Sequence, residues 1–235
     1  MATGSATRRK QAQQRRQQLI DAALQQFAEQ GFDGASIRDI AQAAGVTEAL
    51  VYHYFRSKEH LFEEMLKARS FAPVLRRVLD EAGDEAHPAY VLHRVLAEFL
   101  DMVYDNAAMA RMFIIEFMRN PVCTKYFRAM LEDNTLNLTR YLQRQQQLGV
   151  FRADMDAETV AGMLLGMAFA LFFAWGQVPE REWKARRDKF LTHSVPMVLE
   201  GIWAQSATAR RSPQVFQQDV ERSESQFEGA GGEQR

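Results

Sequence analysis

Tyr52, His53 and Tyr54 stand side by side in the stretch GVTEALVYHYFRSKEHLF (residues 45–62), with Arg56 and Lys58 just beyond them. Two phenols, an imidazole and two cations at this density can donate to phosphate oxygens and reach the edges of bases. Three wet-tipped rings in a row cannot all face a core. Lys58 sharpens the point, because a cation in the first turn of a helix opposes the positive end of the macrodipole, at a cost of some tenths of a kcal/mol. A phosphate brought to that helix start reverses the sign, since free backbone N–H groups and the ammonium then act together. Singly, Tyr52 and Tyr54 read as half-buried core rings and Lys58 as a solvated charge. The set, in this order, points to a surface that meets nucleic acid.

Other chemistry is poorly supported. The five histidines (53, 60, 87, 93 and 193) show no metal spacing on one helix, no Gly-rich phosphate loop is present, and Cys123 is the only cysteine. No catalytic residue, metal or cofactor is therefore expected. An all-helical enzyme remains the rival class, with a helical ligand-binding protein lacking DNA binding as the second rival. With 235 residues, 47% apolar and 25% charged, the balance is that of an ordinary soluble chain. A formal net charge of −1 gives no global field toward nucleic acid or membrane, so any such role rests on local patches. The single cysteine fits a reducing cytoplasm, and the basic, Gln-rich N-terminus has no apolar run behind it to serve as an export signal. The most apolar stretch, Val160 to Gly176, contains three glycines and has Asp156 and Glu158 beside it. It is marginal for spanning a bilayer and reads as a buried helix, with no membrane partner.

The elements that must position these residues are helical throughout, so the fold class is all-α. Ile20, Ala23, Leu24 and Phe27 fall at i, i+3, i+4 and i+7, and Gly31 follows as a stop. Ser36 begins SIRDIAQAAG, with Asp39 three residues on as in a capping box and Ile37, Ile40 and Ala41 as the buried stripe. Thr47 caps a short third helix that ends near Phe55, and Ser57 caps a fourth through Leu61, Phe62, Met65 and Leu66. The second and third helices, joined at Gly45, form a helix-turn-helix. Val51 and Phe55 pack inward with Val46 and Ile40, leaving Thr47, Glu48, Leu50, Tyr52, His53 and Tyr54 outside. Longer helical stretches follow at about 73–82, 88–106, 107–119, 121–147, 156–176 and 183–205, separated by Gly83, Pro88, Pro121, Gly149 and Pro179.

The opening stretch, preceded by FAEQGFDGASIRDIAQAA, resembles the DNA-binding region of the TetR family of bacterial one-component transcriptional regulators over residues 15 to 66. LGVFRADMDAETVAGMLLGM is similar to the loop and first part of that family's dimerisation helix. By position, the resemblance implies phosphate contacts at Ser36, Thr47, Tyr52, Tyr54 and Lys58, and base-facing roles for Arg38, Glu48, Ala49, Leu50 and His53. Glu48 is acidic where a polar or basic residue is common, and Leu50 is bulky where a small one is. The implied division is a basic flexible arm at 1–14, a helix-turn-helix domain at 15–60, a helical effector-binding and dimerisation domain at 61–205, and a flexible tail at 206–235. Up to Lys58 there are eight Arg or Lys against five acids, most of the excess lying in RRKQAQQRR. That run reads either as an arm reaching DNA or as a solubilising segment.

A palindromic operator requires a two-fold dimer. Gly162 and Gly166 would let a neighbouring backbone approach closely, and Phe190, Val198 and Ile202 of the last helix would complete a four-helix interface. Between Phe99 and Trp175 lie eight methionines and eight phenylalanines. Flexible thioethers suit an adaptable apolar site, and Phe99, Met102, Met112, Phe113, Phe117, Phe169 and Phe173 are its candidate lining. The partners expected are double-stranded DNA, a second copy of the chain, and a small hydrophobic effector that releases a repressor from its operator.

Overall fold

The computed structural model describes residues 3–84 and 86–203. They form ten helices: α1 (Thr3–Gly34), α2 (Ile37–Ala43), α3 (Glu48–Tyr54), α4 (Lys58–Ala68), α5 (Ala72–Ala82), α6 (Pro88–Asp105), α7 (Ala107–Arg119), α8 (Pro121–Gln147), α9 (Ala157–Trp175) and α10 (Glu180–Ile202). The only extended pairing among the described residues is a single bridge between Phe151 and Trp203. The tail expected at 206–235 lies outside the described residues.

The arm expected at 1–14 needs correction, because α1 already begins at Thr3. Ala, Arg, Lys and Gln dominate this stretch and all favour helix, with neither proline nor glycine beyond Gly4 to interrupt it. The helical course of α1 breaks at Gly31, whose φ of 75° and ψ of 170° belong to a region that only glycine enters readily.

The chain divides into two compact units, and the division is not the one expected at residue 60. Among the described residues, the first runs through Ser70 and adds Asn106–Glu132; the second comprises Phe71–Asp105 and the stretch from Asp133 to Trp203. In the first unit, α1 packs on α2, α4 and α7, and α2 on α3. Leu19, Ile20 and Phe27 of α1 join Ile40, Val51, Phe55, Phe62 and Met65 in one core, which Met109, Met112, Cys123 and Phe127 complete. Periodicity identifies α7 and α8 as helices with an apolar face, but it cannot say whose core that face enters.

In the second unit, α6 is central and packs on α5, α9 and α10. Val91, Leu92, Val95, Leu96 and Leu100 are fully buried there. Tyr104 stacks on Trp183 with ring centroids 5.0 Å apart, and its hydroxyl donates to the Val178 carbonyl at 2.9 Å. Phe172 of α9 meets Trp183 edge-on. The helix read as buried, α9, is covered on one face only. Ala161, Leu164, Leu165, Ala168 and Phe172 are buried, whereas Gly162, Met163, Gly166, Ala170 and Phe173 are exposed.

Gly31 generates a stability prediction. A β-carbon there would sit 2.6 Å from Oε1 of the buried Glu116, in a backbone conformation that side chains disfavour. Gly31→Ala should destabilise the protein by about 1–3 kcal/mol in chemical denaturation. Adding Glu116→Ala should relieve the clash and leave the backbone strain.

Candidate nucleic-acid interface

α2 and α3 hold the residues that the sequence singles out, and local chemistry sets both helices. The Ser36 hydroxyl accepts from the Asp39 N–H at 3.2 Å, while the Asp39 carboxylate accepts from the Ser36 N–H at 3.0 Å, closing a capping box. Hydrogen bonds from the Ser36 hydroxyl and backbone hold the Asp39 carboxyl below its usual range. Gly45 takes a φ of 64° in the turn, and Val46 N–H donates to the Ala41 carbonyl at 2.9 Å. Thr47 then caps α3 by accepting from the Leu50 N–H.

With only seven residues, α3 depends on what it buries. Val51 and Phe55 are fully enclosed in the first unit's core, and Val46 packs at its edge. Arg16 of α1 clasps this end: its guanidinium lies 5.4 Å over the Phe55 ring and pairs with Glu64 of α4. In the sequence Arg16 reads only as part of a basic segment, because nothing local marks a cation that meets a ring 39 positions later.

The outward residues divide by exposure. Ser36, Arg38, Thr47, Glu48, Ala49, Tyr52 and His53 are exposed, with Tyr52 at 53%, and Arg56 is exposed beside them. Leu50 and Tyr54 are half-buried; the Tyr54 ring packs on the core and meets His53 edge-on at 5.2 Å. Tyr52 therefore presents its ring outward, while Tyr54 serves as part of the wall behind it.

Lys58 departs from the expected arrangement. Its ammonium donates to the carbonyls of Phe32 at 2.8 Å and Ala35 at 3.1 Å, and lies 4.6 Å over the Phe32 ring. The cation at the start of α4 is thus already offset by two carbonyl dipoles after the Gly31 break. A phosphate is not required to explain it, and two of its three donors are engaged.

The remaining candidates are distributed over both units. Met112, Phe113 and Phe117 belong to the first unit, where Phe113 stacks on Phe117 at 5.3 Å and meets Phe127 edge-on at 4.5 Å. Phe99, Met102, Phe169 and Phe173 belong to the second; Phe99 is buried against Phe71 and Phe173 is 65% exposed. Gly162 and Gly166 are exposed, and a β-carbon at either would meet nothing within 4 Å. Phe190 and Val198 are half-buried, whereas Ile202 is buried inside its own unit. Burial, helped by the charge of Glu116, pushes the Cys123 thiol up to about 12, far from a reactive thiolate.

Residues 19–65 match the pattern of the family described as bacterial regulatory proteins, tetR family. The HTH-type transcriptional regulator YdgC of Bacillus subtilis is 31% identical over 160 residues, which cover 65% of this chain and 76% of that protein. The HTH-type transcriptional repressor KstR2 of Mycobacterium tuberculosis is 28% identical over 155 residues, covering 64% and 76% respectively. Among solved structures, the regulator FadR of Bacillus subtilis in complex with stearoyl-CoA is similar with a TM-score of 0.66 at 20% identity, covering 79% of this chain and 98% of that one. The matched residues run from the buried half of α1 to the core of α4, the same span that fixes α3 with its outer face exposed, and the chain belongs to the TetR family of bacterial transcriptional regulators.

Proposed function

We propose that this regulator, which is not an enzyme and whose homologues include repressors, is a homodimeric repressor of a palindromic operator, released by a small apolar effector held in its second unit. The observation that carries the reading is the split character of α3. Val51 and Phe55 lock it into a core, and Glu48, Ala49, Tyr52 and His53 face outward together. In this reading Tyr52 and the hydroxyls of Ser36 and Thr47 meet phosphates, while Arg38, Glu48, Ala49, Leu50 and His53 face bases. Lys58 positions the unit by tying α4 to the end of α1, with one donor left for a phosphate.

The dimer is read from α9. Its inner face packs on α6, and its outer face of Gly162, Met163, Gly166, Ala170 and Phe173 is apolar and exposed in a single chain. Length and composition alone would let this helix cross a membrane. A helix already packed in a core on one face is better matched by a second copy, with Met197 of α10, 72% exposed, extending the contact. The structure of FadR is a complex with stearoyl-CoA, whose long acyl chain supports an apolar effector for this chain as well. Action on the chromosome places the protein in the cytoplasm.

Selecting bound fragments from random DNA should enrich a palindrome; enrichment of none overturns the reading. Within that site, Tyr52→Phe should leave the melting temperature unchanged and weaken operator binding about fivefold, the worth of roughly one hydrogen bond. Lys58→Met should instead lower stability by about 1–3 kcal/mol, because it strips the Phe32 and Ala35 carbonyls of a charged donor. A pure phosphate contact would leave stability intact and reduce the salt slope by about one. Gly162→Leu should fold normally as a protomer, yet shift sedimentation toward monomer and weaken operator binding in parallel.

A further inference from the structure

Asn134, Tyr141 and Gln145 lie at i, i+7 and i+11 on α8, so they share one stripe of the helix with Leu138. All three are at least nine-tenths buried, with relative exposures of 4%, 8% and 1%. Asn134 Oδ1, the Tyr141 hydroxyl and Gln145 Nε2 nevertheless meet no hydrogen-bonding group of the protein. Trp183 Nε1 and Ser194 Oγ, on α10 of the same unit, are in the same position, and the first unit has no such atom among its described residues. Burying a polar atom without a partner costs free energy, and leucine is accommodated on the same face at 138 and 142. A stripe of such atoms in one unit is unfavourable unless something completes it.

The stripe is closed in this structure, so an occupant would have to part α8 from its neighbours. Whereas α6 packs closely on α5, α9 and α10, α8 makes no comparably close approach to any of them within the second unit. A cleft of about 510 Å³ between α5 and α8 reaches Tyr141, with Arg76, Asp80, Asp84, Arg140 and Arg144 around it. Those charges stay at the surface: Arg144 pairs with Asp84, and Arg76 with Asp133. No Asp, Glu, Lys or Arg is buried among the described residues of this unit, and burial pushes the His93 pKa down, toward a neutral ring. A carboxylate or phosphate drawn into this interior would exchange its hydration for neutral partners.

We propose that the inward stripe of α8 recognises the effector, and that the effector is an elongated, uncharged, mainly apolar molecule with hydroxyl or carbonyl groups near both ends. At 1.5 Å per residue, Asn134 and Gln145 are about 16 Å apart, which sets the spacing of those groups. The inference rests on the reading of the second unit as the effector-binding one.

Calorimetry and thermal unfolding of the full chain with 1,12-dodecanediol, 1-dodecanol and dodecanoate test it. The diol should raise the unfolding midpoint and bind at least tenfold more tightly than the other two. Asn134→Leu and Gln145→Leu should each raise the midpoint of the free protein and weaken the diol at least fivefold, because an unpaired polar atom is replaced by one that packs. Dodecanoate binding as tightly as the diol, no binding of the diol, or variants that lose stability without losing affinity would each overturn the proposal. Operator binding measured on the same preparation separates the two readings. A chain that binds operator but no diol removes this inference alone, and one that binds the diol but no operator removes the repressor.

Discussion

Phe62 is the contact on which the rest of the first unit depends. Its ring is fully buried on α4 and meets Phe27 and Phe32 near the end of α1 and Phe127 on α8, all within 5.6 Å between centroids. Edge-to-face pairs of this kind add roughly 0.5–1.5 kcal/mol each beyond the area they bury. More importantly, they fix α1 and α4 as one frame. α2 and α3, at seven residues each, are too short to persist alone in water and inherit their geometry from that frame.

Because the frame is rigid, the exposed face of α3 can carry residues chosen for what they touch rather than for what they stabilise. Tyr52 shows this freedom, being large, apolar in body and more than half exposed. The same trade recurs elsewhere at larger scale. The outer face of α9 leaves Met163 and Phe173 uncovered, and the inner stripe of α8 leaves polar atoms unpaired. Each is a local loss in a folded single chain, and such losses concentrate where a protein meets partners.

What could be read from the sequence was what is decided locally. Ser36 with Asp39, Thr47 and Ser57 announce their helices because a cap and its target lie three residues apart. Val51 and Phe55 announce their inward face by spacing alone. The tether of Lys58 is not legible, because the carbonyls that it meets belong to Phe32 and Ala35, 26 and 23 positions earlier, and no periodicity reports them. Met112, Phe113 and Phe117 enter the first unit's core, which the sequence does not announce for a related reason. Composition identifies apolar side chains but not which of two cores they enter. Asn134, Tyr141 and Gln145 carried no signal at all, since a polar residue on a helix reads as surface until the burial of its face is known.

The α8 stripe also bears on control. Completing unpaired polar atoms would make a bound effector stabilising, but stabilisation by itself releases nothing from DNA. A ligand that binds the operator-competent and operator-incompetent shapes equally well shifts neither, however tightly it is held. Release requires that the polar atoms be better completed in one shape than in the other, and the operator must then oppose the effector by the same factor. Three separated hydrogen-bonding groups on one rigid helix face suit such discrimination. A small change in the spacing between α8 and its neighbours would break directional bonds before it greatly altered apolar contact, so the polar part of the ligand would carry the signal and the apolar part most of the affinity.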